Sequence, residues 1–525
     1  MEKQKNQHIA FKDEVDLPYK DKRKWQNEVE KWKEKEGMAM KSSYYYSTYN
    51  SIQYTTDAVP EDAEKPTSKG AVKNIVVLGV AFMFVYTAFV SLQSLQSTMN
   101  AKEGLGVASL CSIYTATLLS CFFAPWIIHK LKTKWTIILA FGLFTVYVII
   151  HFYPKDFMLI PTSILLGFLM GPLWIAQSTY LTTTAYNYAK EMGTAYDRVV
   201  GKFNAVFCSV FQLSQIWGNI LSAAVLYNDH TKVLNENSSR PHPCGAQDCG
   251  WNNNDLNQTM HVALIPDNSL YMLLSIYIGC SLMGVVIIVS LLDVLAPPKT
   301  ADREWQSVQG SSRTMFCATV KMFADPRLHL LFPLVIFTGL EQGFIFGDFT
   351  KSYVNCALGV HNIGFTMITF GAITAASAFV IGFLVKHIKR IAIVIAGAVF
   401  HASLILALYL WKPSIEDIPM FYVVAACLGL CDAIWQTQSN TLFGVLFPEK
   451  QEAAFAAYRI FQSLGFALAF GYSYFLCVET KLYILASVLV ISLGLYSVIE
   501  FRLKQSHHRH HHRDCHHIKA QLVTL

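Results

Sequence analysis

The sequence predicts an all-α membrane protein of twelve transmembrane helices arranged as two six-helix pseudo-repeats. Hydrophobic residues make up 53% of the chain and charged ones 15%, against about 25% charge in a soluble domain. The apolar residues gather into long runs, and about 20 in succession span a hydrocarbon layer of roughly 30 Å as a helix. The pattern W-x-x-Q-S-x-x-L is also written twice, as WIAQSTYL from Trp174 and WQTQSNTL from Trp435. Each copy falls in the fourth run of its group of six, as a parallel duplication requires.

Residues 1–72 are a different material. Lys and Glu dominate the first part, with Trp25 and Trp32 in KWQNEVEKWKEKE, and Ser, Thr, Tyr and Pro the second. A cytoplasmic, mostly disordered region with a short amphipathic helix is expected. The first half, 73–295, follows, with spans near Ile75–Thr98, Val107–His129, Trp135–Tyr153, Met158–Leu181, Val200–Tyr227 and Leu270–Leu292. A cytoplasmic linker, 296–327, leads to the second half, 328–503. Its spans lie near Leu328–Thr350, Ile363–Val385, Ile391–Trp411, Pro419–Leu446, Ala453–Val478 and Leu482–Phe501. Residues 504–525 form a His-rich tail.

Lys and Arg in short loops are retained on the cytoplasmic side. Lys130, Lys132 and Lys134 follow the second span, Lys190, Arg198 and Lys202 the fourth, and Lys386, Lys389 and Arg390 the eighth. These loops, the linker and both termini are therefore expected inside. Asn228–Ser269 becomes the large external loop, and it holds two sequons, at Asn237 and Asn257, which only an external loop can have glycosylated. Cys244 and Cys249, in PCGAQDCG, are expected to pair in that oxidising compartment. The alternatives are free thiols, or a bond from one of them to Cys356 on the neighbouring outer loop.

Polar residues inside the spans mark the candidate site. An amide in hydrocarbon needs a partner, so Gln177 and Gln438 either bond across helices or line a central cavity. Gly167 and Gly171 read as helix packing points. Glu341 lies about 20 Å into a helix starting at Leu328, and Asp432 about 18 Å into one entering from the opposite side, so both come out near the midplane. Carboxylates at that depth mark an ion, proton or ligand site, or lock helices together. Asp348 and Lys351 are expected to form an interfacial pair, and Arg198, Lys202 and Arg459 to be snorkelling anchors.

Two parallel six-helix halves are the architecture of the major facilitator superfamily, whose substrate cavity lies between the halves. The basic loop after the second span, His129-Lys130-Leu131-Lys132, lacks that superfamily's aspartate. More specifically, NIVVLGVAFMFVYTAFVSLQSLQSTMN, GLGVASLCSIYTATLLS, GPLWIAQSTYLTTTA, FQLSQIWGN, GLEQGFIFGDFTKSYV and LCDAIWQTQSNTLFGVLFPEKQEAAFAAYRIFQSLGFA resemble the Unc ninety-three family, from about Lys73 to Phe501. The positions matching the family's motifs are Trp174, Gln177, Glu341, Gln342, Asp432, Trp435 and Gln438.

The resemblance implies a plasma-membrane protein whose relatives regulate two-pore potassium channels in one branch and escort nucleic-acid-sensing receptors in another. A regulatory or accessory subunit of a potassium channel, acting in potassium homeostasis, is therefore expected. The alternatives are a secondary transporter coupling a small solute to a proton or cation through the intramembrane carboxylates, and a trafficking escort for membrane receptors. The partners are the bilayer, a channel or other membrane protein, and a small solute or ion; no nucleic acid is expected. Neither an enzyme nor a cofactor is expected, since no nucleophile-base pair, phosphate-binding glycine loop or rigid metal motif appears. In the tail, His507, His508, His510, His511, His512, His516 and His517 are weak metal candidates, set against a solvated basic tail near anionic lipid.

Overall fold

The computed structural model describes residues 68–100, 104–194, 196–227, 244–249, 267–294, 320–384, 388–447 and 451–523. Asn237, Asn257 and the region before residue 68 lie outside them, as do the side chains of the seven tail histidines. The first half comprises α1 (Ser68–Met99), α2 (Leu105–Leu131), α3 (Thr133–Ile150), α4 (Asp156–Met192), α5 (Tyr196–Tyr227) and α6 (Asp267–Leu291). The second comprises α7 (Pro326–Phe344), α8 (His361–Leu384), α9 (Arg390–Leu410), α10 (Ile418–Leu446), α11 (Gln451–Ser473) and α12 (Val478–Val523). No strand occurs among the described residues.

Eleven of these helical stretches are long and apolar enough to cross a membrane. The twelfth, α5, carries Asn204, Gln212, Gln215 and Asn219 along its length, and such a helix is held in the bundle by packing on its neighbours rather than by its own hydropathy. Two predicted ends differ. α4 runs on to Met192 past its predicted end at Leu181, and α12 runs on to Val523 through the predicted tail.

Below, the proximal end of the bundle is the end where α1 begins, and the distal end is where it finishes. α1 packs on α5 and α6 as α7 packs on α11 and α12, and α2 on α4 as α8 on α10. The halves meet where α2 lies along α11 and α5 along α8, the two contacts an internal two-fold would exchange. Small residues set the closest approaches. A Cβ on Gly167 would strike the Ile113 carbonyl of α2, one on Gly171 would strike Ser120, and one on Gly339 would sit 2.9 Å from Gly465 Cα on α11.

Local chemistry fixes several ends. Asp325 accepts from the Arg327 N–H at 2.9 Å with Pro326 beginning α7, a side-chain cap followed by proline in the first turn. Lys134 Nζ donates to the carbonyls of Val289 at 3.1 Å and Leu292 at 2.6 Å, capping the end of α6. The α2–α3 turn passes through a single residue, Lys132, at φ 62° and ψ 158°. That region of backbone space is one that glycine normally occupies.

Beyond Phe344 the seventh helix continues as a wide-wound π segment, Ile345–Asn355, and a last turn, Cys356–Leu358. The π segment is buried except at Lys351 and packs on α1, whose residues 85–98 are buried. Tyr114 stacks on Phe466 at 4.1 Å between ring centroids, joining α2 to α11. The distal ends of the two halves are thus packed together.

Two predicted pairings are corrected here. Cys244 and Cys249 do not bond to each other: Cys244 pairs with Cys356 and Cys249 with Cys477. The backbone explains it. Gly245–Gln247 forms a 3-10 turn with Gly245 at φ 81° against Pro413, and the Val478 N–H donates to the Asp248 carbonyl at 3.0 Å. The short segment is thereby pinned to the distal face of the second half, with one thiol aimed at the end of the seventh helix and the other at the α11–α12 connection. Asp348 does not pair with Lys351 either. The wide winding carries Lys351 to another face, and Lys481 of α12 reaches Asp348 Oδ1 at 2.6 Å, with both side chains about 2–3% exposed. Ser473 Oγ donates to the same oxygen at 2.7 Å.

Candidate functional site

Glu341 falls midway along the helical stretch Pro326–Leu358, and Asp432 lies beyond the middle of Ile415–Gly444. The structure brings them into one polar cluster on α7, α9 and α10, within a half that is otherwise apolar at this depth.

Trp435, fully buried, donates its indole N–H to His401 Nδ1 at 2.9 Å. Indole nitrogen can only donate, so Nδ1 is held as the acceptor and the ring's proton sits on Nε2. Glu341 Oε1 lies 3.5 Å from the same Nδ1. With that lone pair already engaged, the contact is two acceptors facing each other. Neither Glu341 oxygen has a hydrogen-bond donor, and the residue is 1% exposed. Phe337 closes the group edge-on against Trp435.

Asp432 is treated in the opposite way. Gln342, next to Glu341 in the chain, donates to Asp432 Oδ1 at 2.8 Å, and Gln436, one turn along α10, donates to Oδ1 and Oδ2 at 3.1 and 3.2 Å. Two amides therefore clamp Asp432 while Glu341 is left an open acceptor, a position that takes a proton or a small cation. Among the described residues no group of three His, Cys, Asp or Glu side chains is arranged to hold a metal.

The first half repeats the frame in apolar form. Trp174 packs against Phe82 and Tyr86 of α1, as Trp435 packs against Phe337 of α7. Tyr86 meets Phe144 of α3 where Glu341 meets His401 of α9. The duplication is thus visible in the side chains, and the second copy alone carries the carboxylate and the imidazole.

The remaining predicted residues divide. Gln438 is buried, and neither of its amide atoms has a partner. Gln177 accepts from Ser178 Oγ at 3.3 Å within α4. Arg459 departs from the anchor role: its guanidinium lies 4.7 Å from the Trp174 ring centre, across the boundary between halves. His401, Gln436 and Lys481 were not singled out in the sequence. A lone histidine within AVFHASL was the available signal, since imidazole in a span is rare.

A family profile described as "Ion channel regulatory protein UNC-93" matches residues 96–496. "Protein unc-93 homolog A" of Xenopus laevis is 42% identical over 434 residues, covering 82% of this chain and 93% of that protein. "Putative potassium channel regulatory protein unc-93" of Caenorhabditis elegans is 31% identical over 430 residues, covering 80% of this chain and 59% of that protein. Among solved structures, the nucleoside transporter NupG superposes with a TM-score of 0.55 at 12% identity, covering 81% of this chain and 99% of that one. At that identity the likeness is one of fold alone.

Proposed function

Since this chain belongs to the UNC-93 family, we propose that it is a multi-pass regulatory subunit of a potassium channel, acting in potassium homeostasis at the plasma membrane. The observation that carries the reading is the family match over most of the membrane region, together with the name of the Caenorhabditis elegans relative. In this reading the protein does no covalent chemistry. It offers a membrane-embedded surface to the channel, and its own polar cluster sets which conformation it holds. Both termini lie in the cytoplasm, and Asn237 and Asn257 carry glycans on the outer face. Co-expression with two-pore potassium channel subunits, read as whole-cell potassium current, tests it. A current altered only when both proteins are present supports the role, and unchanged currents throughout refute it.

A second reading rests on Glu341. An unpartnered carboxyl group at mid-membrane, beside an amide-clamped Asp432, on a transporter fold, suits a carrier that couples a small solute to a proton or cation. Uptake driven by an imposed proton or sodium gradient in proteoliposomes, and lost in Glu341→Gln, is the outcome this reading requires.

A further inference from the structure

We propose that Arg459, laid flat on Trp174, is the anchor of an oxyanion site, for a carboxylate or a phosphate group, that opens between the halves toward the proximal end.

Arg459 stands on α11 of the second half and Trp174 on α4 of the first, with the guanidinium carbon 4.7 Å from the indole centre and 5.8 Å from the Tyr458 ring. Stacking uses the faces of the guanidinium and leaves its edge of N–H donors free. One of them, Nη1, donates to Gln462 Oε1 at 2.9 Å. No ion pair to Arg459 is found among the described residues. A planar fork held flat, with donors to spare and no carboxylate opposite, is suited to two-point recognition of an oxyanion.

The surroundings place the fork beside accessible space. Trp174 faces inward, touching Phe82 and Tyr86 of α1 and Phe211 of α5. Ser178, one turn on along α4 and hence on the same face, is exposed, so its exposure is toward the gap between the halves and not toward lipid. Cys208, just proximal to Phe211 on α5, is also exposed, and Arg459 is near enough to act on it electrostatically. Both residues lie on the proximal side of the stacked pair. Gln462, Tyr458 and Trp174 add donors, acceptors and ring surface, and no negative charge.

Cys208 supplies the reporter. The full-length protein is reconstituted in phosphatidylcholine nanodiscs, and labelling of the Cys208 peptide by a sulfonate-bearing methanethiosulfonate is timed by mass spectrometry. Inorganic phosphate or benzoate is expected to slow the labelling of wild type about tenfold, the scale of one charge-assisted contact, and to leave the rate in Arg459→Gln unchanged. Slowing without added anion in nanodiscs containing phosphatidylglycerol, again lost in Arg459→Gln, identifies a lipid headgroup as the source of the oxyanion. If Arg459→Gln does not fold, Trp174→Leu removes the stacking plane while keeping the charge, and the protection must weaken there too. Protection by neither anion nor lipid, or equal protection in wild type and the variant that folds, overturns the site.

Discussion

Trp435 and His401 share one hydrogen bond, 2.9 Å from indole nitrogen to Nδ1, and that bond prevents His401 from serving Glu341 as a donor. Removing the indole N–H while keeping an aromatic ring, in Trp435→Phe, frees Nδ1. A double-mutant cycle of Trp435→Phe with His401→Phe, measured by thermal unfolding in nanodiscs, is expected to return a coupling of about 1 kcal/mol. Additive effects would show that the bond is not made.

The two carboxylates differ in their stability effects. Glu341→Gln removes a buried charge that has no donor, so its unfolding temperature is expected to equal or exceed that of wild type. Asp432→Ala strands the amides of Gln342 and Gln436 and is expected to cost roughly 1.5–3 kcal/mol, the scale of hydrogen bonds to a charged group. Equal losses in the two variants would contradict the asymmetry of the cluster.

The buried pair of Asp348 and Lys481 predicts a reversal. Either Asp348→Leu or Lys481→Met alone leaves an uncompensated buried charge and is expected to cost about 3–5 kcal/mol, whereas the double variant recovers most of the loss. Unfolding of detergent-solubilised protein at matched expression reads the difference. A double variant worse than both singles would refute the pairing.

Non-reducing peptide mapping is expected to find Cys244 linked to Cys356 and Cys249 to Cys477. Changing either partner of one bridge to serine, or both together, gives the same loss, about 2–5 kcal/mol. A peptide linking Cys244 to Cys249 would contradict the structure.

The backbone at Lys132 offers a gain. In Lys132→Gly the residue at φ 62° no longer strains against its Cβ, and a rise in stability of about 1 kcal/mol is expected. A fall would show that the Lys132 side chain contributes more than its backbone costs.

The sequence carried the membrane architecture because length and hydropathy are local properties: each span can be counted without knowing its neighbours. The duplication was equally visible at Trp174 and Trp435, which fill equivalent places against Phe82 and Phe337. Glu341 and Asp432 were found because charge at mid-membrane is rare. The partners of these residues were not legible. Whether Gln342 or His401 reaches a carboxylate depends on how α7, α9 and α10 rotate against one another, and no spacing within one helix encodes that. The disulfides failed for a related reason. Nearness in sequence favoured a Cys244–Cys249 bond, but the Asp248–Val478 backbone bond and the Gly245 turn aim the two thiols apart. Lys351 was chosen over Lys481 because an ordinary helix places residues three apart on one face, and this segment is wound wider.

The most direct test of the central claim is whole-cell potassium current in cells expressing a two-pore potassium channel with or without this protein, at matched surface levels, with solute uptake followed in parallel. The account predicts a current that changes only when both proteins are present, and no flux through this protein alone. Currents indifferent to its presence, together with a solute flux that Glu341→Gln abolishes, would contradict it and make the protein a carrier.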